Sequence, residues 1–246
     1  MLSVTNLNKA FSGLTVTDNV SLELQPGSRH AVIGPNGAGK TTFFNLLTGE
    51  LAPDSGKVFL EGRNITRMRP DARARAGLGR SFQKNNLFPH LSVRENLSIA
   101  CALHAGIGKV FWKVFSKFET ISQSVEQLAE RVGLSNILDE DVHALSYGNS
   151  RQVEIALALA LQPKILMLDE PTSGMSPEET TAMRELIAQL DSSLTILIIE
   201  HDMDVVFDLA DRITVLDYGR VLLEGTPNEI RQSQIVRDRY FGETMQ

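Results

Sequence analysis

The sequence predicts an α/β fold: a mainly parallel sheet covered by helices, preceded by an antiparallel β subdomain and interrupted by a helical insertion. Three observations predict it. A short apolar strand, a glycine-rich loop and a helix follow one another between His30 and Thr48, which is the opening of an α/β unit. Apolar runs return at Ile165 to Leu168, Thr195 to Ile199 and Ile213 to Leu216, with helical patterns between them; strands spaced by helices build a sheet buried on both faces. From about Ser92 to Leu138 apolar residues recur at helical spacing without a convincing strand, so a helical segment is inserted into the core.

The elements follow in order. Leu2 to Asn6 and Val16 to Leu24 read as short strands, the second alternating Val20, Leu22 and Leu24 with polar neighbours. Pro26-Gly27 is a turn ahead of the strand His30 to Ile33, and Lys40 to about Thr48 forms the helix after the loop. Pro53-Asp54-Ser55-Gly56 makes a turn before the strand Lys57 to Leu60, and Glu61-Gly62 makes the next. In the insertion, Val93, Leu97 and Ala100, then Val125, Leu128, Ala129 and Val132, mark helical faces. Helices are expected at Ser150 to Leu161 and Pro177 to Leu190. The resulting division is an α/β core of residues 1–84 and 160–225, a helical subdomain of residues 85–159 and a helical tail of residues 226–246.

Composition narrows the class. The 246 residues are 42% hydrophobic and 22% charged, with a net charge of −6, which fits a globular protein and argues against an overall nucleic-acid binder. One cysteine, Cys101, forms no internal disulfide, as expected in a reducing compartment. The N-terminal residues lack a signal-peptide pattern, and no apolar run is long enough to cross a bilayer. A soluble intracellular protein is expected.

Chemistry concentrates in two places. Gly34-Pro35-Asn36-Gly37-Ala38-Gly39-Lys40-Thr41 is a full match to the phosphate-binding loop G-x-x-x-x-G-K-[ST], and Thr42 follows it on the helix. Its glycines allow a tight fold that points backbone N–H groups at phosphate oxygens, and the helix N-terminus adds its dipole. Lys40 reaches the β- and γ-phosphates and the Thr41 hydroxyl suits Mg²⁺. The strand Ile165 to Leu168 delivers Asp169 and Glu170 at its end, where ligands bind in open α/β sheets. Asp169 suits the Mg²⁺ shell and Glu170 the attacking water, as general base.

With Leu145-Ser146-Tyr147-Gly148 just upstream of that strand, these residues resemble the ATP-binding cassette (ABC) ATPase family. The resemblance runs from Leu2 to about Gly225 and implies a P-loop NTPase core of RecA-like type, with ATP and Mg²⁺ as cofactors. Phe11 sits where such proteins place an aromatic against adenine. Gln83, in Arg80-Ser81-Phe82-Gln83, matches the glutamine that links the nucleotide to the helical subdomain and contacts Mg²⁺ or water. Ser173-Gly174-Met175-Ser176-Pro177 matches the loop after the carboxylates, and His201 the switch histidine near the γ-phosphate. Ser146 and the backbone around Gly148 are implied to hold the γ-phosphate of a second cassette, in a head-to-tail sandwich. One chain carries one loop and one signature, so a partner cassette, identical or different, completes each site. The remaining histidines, His30, His90, His104 and His143, match nothing and read as structural.

Finer detail looks like the ATPases of bacterial branched-chain amino acid importers: Phe11-Ser12-Gly13-Leu14, Leu87-Phe88-Pro89, Leu91-Ser92-Val93-Arg94-Glu95-Asn96-Leu97, Ser146-Tyr147-Gly148 and Arg239-Tyr240-Phe241-Gly242-Glu243. That similarity implies membrane permease subunits, an external solute-binding protein and a peripheral place on the cytoplasmic face of the inner membrane. It leaves open whether the solute is a branched-chain amino acid or a related urea or amide. The alternative is a non-import cassette, an exporter's or a soluble one. The chain departs from the family's usual Gln at Asn149, Gln or Arg at Ser150 and Arg at Leu157, which implies looser phosphate contact in trans or dependence on a partner. The segment Ile107 to Phe118 sets Lys109, Lys113 and Lys117 on one helical face apart from its aromatics. It reads either as a helix at the lipid headgroups or permease, or, more simply, as an amphipathic helix packed in its own subdomain. The permease contact is expected instead on Lys84 to Leu91.

Overall fold

The computed structural model describes residues 1–81, 87–106 and 119–238. Gln83, the first three residues of the segment Lys84 to Leu91, the basic-aromatic segment Ile107 to Phe118 and the ending Arg239 to Glu243 lie outside the described residues. In chain order the strands are β1 (Leu2–Phe11), β2 (Leu14–Leu24), β3 (Arg29–Ile33), β4 (Ser55–Leu60), β5 (Arg63–Asn64), β6 (Leu78–Arg80), β7 (Ile165–Asp169), β8 (Thr195–Ile199), β9 (Arg212–Asp217) and β10 (Arg220–Gly225). The main helices are α1 (Lys40–Thr48), α2 (Pro70–Arg75), α3 (Val93–His104), α4 (Glu119–Arg131), α5 (Tyr147–Ala160), α6 (Pro177–Gln189), α7 (Met203–Leu209) and α8 (Pro227–Gln232). Two compact units result, Met1–Ala76 with Ser192–Gln246, and Gly77–Asp191.

The first unit holds the antiparallel subdomain expected from the sequence, with strands in the order β2-β1-β4-β5. Leu2, Val4 and Leu7 alternate into its core opposite Leu24, Leu22 and Val20. Here β1 runs on to Phe11, past the Asn6 at which the sequence pattern fades. The polar stretch stays in the ladder because register shifts absorb it. One of them sets Gly56 (φ 92°) against Asn6 (φ 48°), where a Cβ on the glycine would lie 2.3 Å from the Asn6 carbonyl oxygen. That close approach requires glycine, and it draws Ser55 and Gly56 into β4 instead of the preceding turn.

In the same unit β3 lies between β8 and β9, parallel to both, and β10 closes the edge antiparallel to β9. Every residue of β8 is buried, as a strand covered on both faces requires. Strand β10 escaped the sequence reading because its turn is atypical: Tyr218 (φ 43°) and Gly219 (φ 77°) both take left-handed backbone, the geometry that closes a two-residue hairpin, with Tyr where Asn or Asp is usual. Ala31, Ile33, Ile213 and Val215 pack with Val206 of α7 and Ile230 of α8.

His30 is buried in this core, its Nε2 2.7 Å from Thr214 Oγ1. Burial, with a smaller opposing pull from Glu224, lowers its pKa to about 4. The unfolded chain therefore takes up the proton first as pH falls, so acid weakens the fold. We expect stability to drop by about 2 kcal/mol between pH 7 and pH 5 from this group, and a His30→Gln variant to flatten that slope. Urea midpoints at the two pH values read the difference directly.

The second unit carries β6 parallel to β7 and the helical insertion. Its helical faces are those the spacing predicts: Val93, Leu97, Ala100 and Cys101 of α3 are buried, as are Val125, Leu128 and Ala129 of α4. A capping box between Ser92 and Glu95 starts α3. The side chain of Asn96 accepts from the Phe88 N–H and donates to the Phe88 and Ser92 carbonyls, pinning the segment that enters the helix. Strand β6 is only three residues long, too short for a sequence signal. Its Gly79 is pressed on Pro163, where a Cβ would lie 2.7 Å from the proline Cβ.

Candidate active site

The glycine loop joins β3 to α1. Ala38 N–H donates to the Pro35 carbonyl (3.1 Å), closing a turn, and Gly219 N–H donates to the Ala38 carbonyl (3.0 Å). Gly37 (φ 83°) and Gly39 (φ 96°) hold left-handed backbone. A Cβ on Gly39 would stand 2.4 Å from the Val16 carbonyl oxygen, and one on Gly34 2.6 Å from that of Leu216. No side chain fits at either position, so β2 and β9 fix the loop's course. Gly37 has open space where its Cβ would be, and Pro35, Asn36 and Thr41 are exposed.

Helix α1 begins on Gly39 with no side-chain cap and no acidic residue in its first turn. A helix start without a side-chain cap or a first-turn carboxylate of its own is suited to phosphate. Lys40, 7% exposed, donates from Nζ to the Gly34 and Pro35 carbonyls (2.5 and 3.1 Å), so its cation is held over the loop. Thr42 is half-buried on the next position. Phe11, at the end of β1, keeps 43% of its surface exposed with Lys9 Nζ 5.5 Å from the ring centroid. An exposed aromatic surface is what stacking on a base requires.

His201 follows β8 in this same unit. Its side chain is exposed, while the preceding Glu200 is fully buried and accepts the His201 N–H at 2.9 Å. The Glu200 carboxylate also stands 3.7 Å from His201 Nδ1. Sequence reading did not single out Glu200, because a buried carboxylate next to a histidine has no pattern of its own.

In the other unit β7 delivers Asp169, 2% exposed, and Glu170, half-buried. Glu170 takes a left-handed conformation (φ 47°). Such backbone in a residue without a short polar side chain is uncommon and gathers at functional sites. Ser81 N–H donates to the Met167 carbonyl (2.9 Å), so the residue after β6 continues the pairing with β7, the strand that carries Asp169 at its end.

The signature segment opens α5 three residues earlier than its apolar pattern indicates, with Ser146 as the N-cap accepting from Asn149 N–H at 3.1 Å. Polar Tyr147, Gly148 and Asn149 form the first turn, where helix starts are polar by nature. Gly148 N–H donates to Glu179 Oε1 at 3.0 Å. Arg151 stacks on the Tyr147 ring (5.4 Å to its centroid), donates to its hydroxyl and pairs with Glu154 at 2.8 Å. Glu154 is buried, which raises its pKa, and one carboxylate oxygen makes no hydrogen bond. Neither this triad nor Glu179 was evident from sequence; the Ser176–Glu179 capping-box spacing was legible, but its tie to Gly148 was not.

A family model described as ABC transporter matches residues 17–173. The chain belongs to the ABC transporter ATP-binding family. The cassette is 41% identical over 250 residues to the high-affinity branched-chain amino acid transport ATP-binding protein LivG of Escherichia coli K12, covering 99% of this chain and 98% of that protein. It is 38% identical to BraF of Pseudomonas aeruginosa, a protein of the same description, and 33% identical to the lipopolysaccharide export system ATP-binding protein LptB of Escherichia coli. Among solved structures, the ADP conformation of MJ1267, an ATP-binding cassette of an ABC transporter, superposes with a TM-score of 0.86 at 28% identity, covering 98% of each chain. A nucleotide-free cassette gives 0.85 at the same identity. The fold expected from the phosphate loop and the strand order is thus that of an ABC ATPase.

Proposed function

We propose that this cassette hydrolyses Mg·ATP to drive an importer for branched-chain amino acids or related small polar solutes such as urea and amides. The observation that carries the ATPase reading is the loop itself: two left-handed glycines, two positions closed to any Cβ, a buried Lys40 and an uncapped α1 together make a rigid cradle for phosphate. Import is favoured over export by the higher identity to LivG and BraF than to LptB.

In this reading residues 34–42 hold the phosphates and Phe11 stacks on the adenine. Buried Asp169 and the exposed Thr41 hydroxyl, with Gln83, are the oxygen donors that suit Mg²⁺. Bound nucleotide supplies the γ-phosphoryl group and Mg²⁺ its charge neutralisation. Glu170 accepts the proton of the attacking water, and His201, positioned by Glu200, donates a hydrogen bond to the γ-phosphate. Ser146 and Gly148 of a second cassette complete the site, so activity needs a dimer, with itself or with a related chain. In this reading the permease docks over a mostly apolar cavity of about 210 Å³ lined by Leu87, Phe88, Leu103 and Leu157. Leu157, where family members often carry Arg, adds apolar surface there. Among the described residues no helix is long and apolar enough to cross a membrane. In this reading the permease carries the solute across and an external binding protein delivers it.

The test is Mg·ATPase activity and solute uptake of the cassette reconstituted with its permease subunits in vesicles, beside Lys40→Ala. We expect Lys40→Ala to weaken ATP binding at least about 100-fold, the order of a lost charge-assisted phosphate contact, and to abolish uptake. Unchanged nucleotide binding in that variant overturns the ATPase reading. Uptake of urea or amides but not of branched-chain amino acids narrows the solute.

A further inference from the structure

The donors assigned above to the γ-phosphate of a second cassette already hold an anion, and it belongs to the same chain. Glu179 lies in the first turn of α6, where its Oε2 accepts the Ser176 N–H (3.1 Å) as half of a capping box. Its other oxygen, Oε1, accepts the Gly148 N–H at 3.0 Å. A Cβ on Gly148 would meet that oxygen at 2.8 Å and the Glu179 Cγ at 3.1 Å, so the glycine at this position is what lets the carboxylate approach. The backbone donors of Ser176 and Gly148, together with the Ser146 hydroxyl, hold the Glu179 carboxyl below the usual carboxylate range. It is therefore an anion at neutral pH. Two anions cannot share the Gly148 N–H and the Ser146 hydroxyl, because each of these groups has one proton to give and like charges in contact repel.

We propose that Glu179 is a resident competitor for the phosphate donors of the signature helix, an internal anion that the γ-phosphate of the second cassette has to displace before the sandwich closes. This rests on the trans half-site stated under the proposed function. Displacement has a structural consequence within this unit. Glu179 is joined to Gly148 on one side and to Ser176 on the other, and Ser176 ends the loop that leads from Glu170. The ring of Tyr147 also stands 3.7 Å from where a Cβ of Gly174 would be. Release of the carboxylate therefore leaves the loop 173–176 tied less tightly to the start of α5 while the capping box keeps α6 intact. Arrival of phosphate at the signature is thereby reported to the segment next to the catalytic base.

The experiment compares the full chain with its Glu179→Gln variant, both in a Glu170→Gln background that preserves bound ATP. Gln keeps the capping box and removes the charge; Glu179→Ala, checked by thermal melting, removes the side chain. We expect the ATP concentration for half-maximal dimerisation to fall about tenfold in Glu179→Gln, the order of one charge-assisted hydrogen bond no longer competed for. ATP affinity of the monomer stays unchanged. An unchanged or higher midpoint overturns the proposal and leaves the ATPase reading standing. Inorganic phosphate titrated against the Gly148 and Asn149 amide resonances of the monomer decides the same question without a dimer. Shifts in Glu179→Gln and Glu179→Ala at concentrations that leave the unsubstituted chain unmoved support the competitor. Equal responses in all three overturn it. If neither chain binds ATP, the proposed function itself fails, and the phosphate titration still settles Glu179.

Discussion

Replacing Glu170 with Gln is expected to lower Mg·ATP turnover about 10³-fold while leaving ATP affinity unchanged, the scale on which a positioned general base contributes. The side chain leaves a strand end whose every residue is buried, so its origin is fixed by β7. The left-handed backbone at Glu170 (φ 47°) is held by the turn in which Ser173 N–H donates to the Glu170 carbonyl at 3.2 Å. That bond belongs to the main chain, and Gln keeps it along with the side chain's shape. What Gln lacks is a proton acceptor, so the chemical step alone is removed. The ATP-bound dimer then accumulates, and size-exclusion chromatography in ATP detects it. Retained turnover in Glu170→Gln would move the base elsewhere, and Glu200 beside His201 is the carboxylate to replace next. Loss of ATP binding in the variant would instead mean that Glu170 shapes the pocket rather than the reaction.

How much of this was legible in the sequence depends on the range of the interaction that fixes each element. The helix Lys40–Thr48 and the strand Thr195–Ile199 agree with the sequence reading to the residue. A glycine loop sets the first, and an apolar run between breakers sets the second, both local signals. The long β1 was cut short because its second half is polar and stays in the ladder only through register shifts against two neighbours. The phosphate loop and the two carboxylates are contiguous strings whose chemistry is carried by residue type and spacing. By contrast, Glu200 under His201, Glu179 on Gly148 and Glu154 with Arg151 are acidic residues that the sequence presents as ordinary surface charge. Burial gives Glu200 and Glu154 their roles, and a partner brought by the fold gives Glu179 its own.

Arg73 is the extreme case of that kind, and its replacement has the largest expected effect on stability. Nothing in the sequence around Ala72 and Ala74 marks the charged residue between them as buried, yet Arg73 is 1% exposed. Its guanidinium donates to four backbone carbonyls: Nη1 to Leu46 (2.7 Å) and Leu47 (2.5 Å), Nη2 to Thr66 (2.7 Å) and Nε to Met68 (3.1 Å). Leu46 and Leu47 belong to the last turn of α1, whose carbonyls have no partner within the helix. Gly49 (φ 84°) ends that helix, and a Cβ there would lie 2.8 Å from Arg73 Nε, so glycine makes room for the cation. Burial lowers the Arg73 pKa to about 10, which leaves it charged at neutral pH. Arg73→Met preserves the length of the side chain but strands four acceptors, two buried and two part-buried. The expected loss is about 3–5 kcal/mol, the range for removing one side of a buried charged network. Urea denaturation reads it, and a loss below about 1 kcal/mol would mean that water replaces the guanidinium. Saturating ATP separates this structural role from a role in the reaction. Ligand at about 100 times its Kd returns about 2.7 kcal/mol to whatever fold binds it. If Arg73 only ties down the far end of α1, the variant regains that amount in full and turns over ATP normally once folded. A smaller gain would place the phosphate loop itself under the control of the helix end that Arg73 holds.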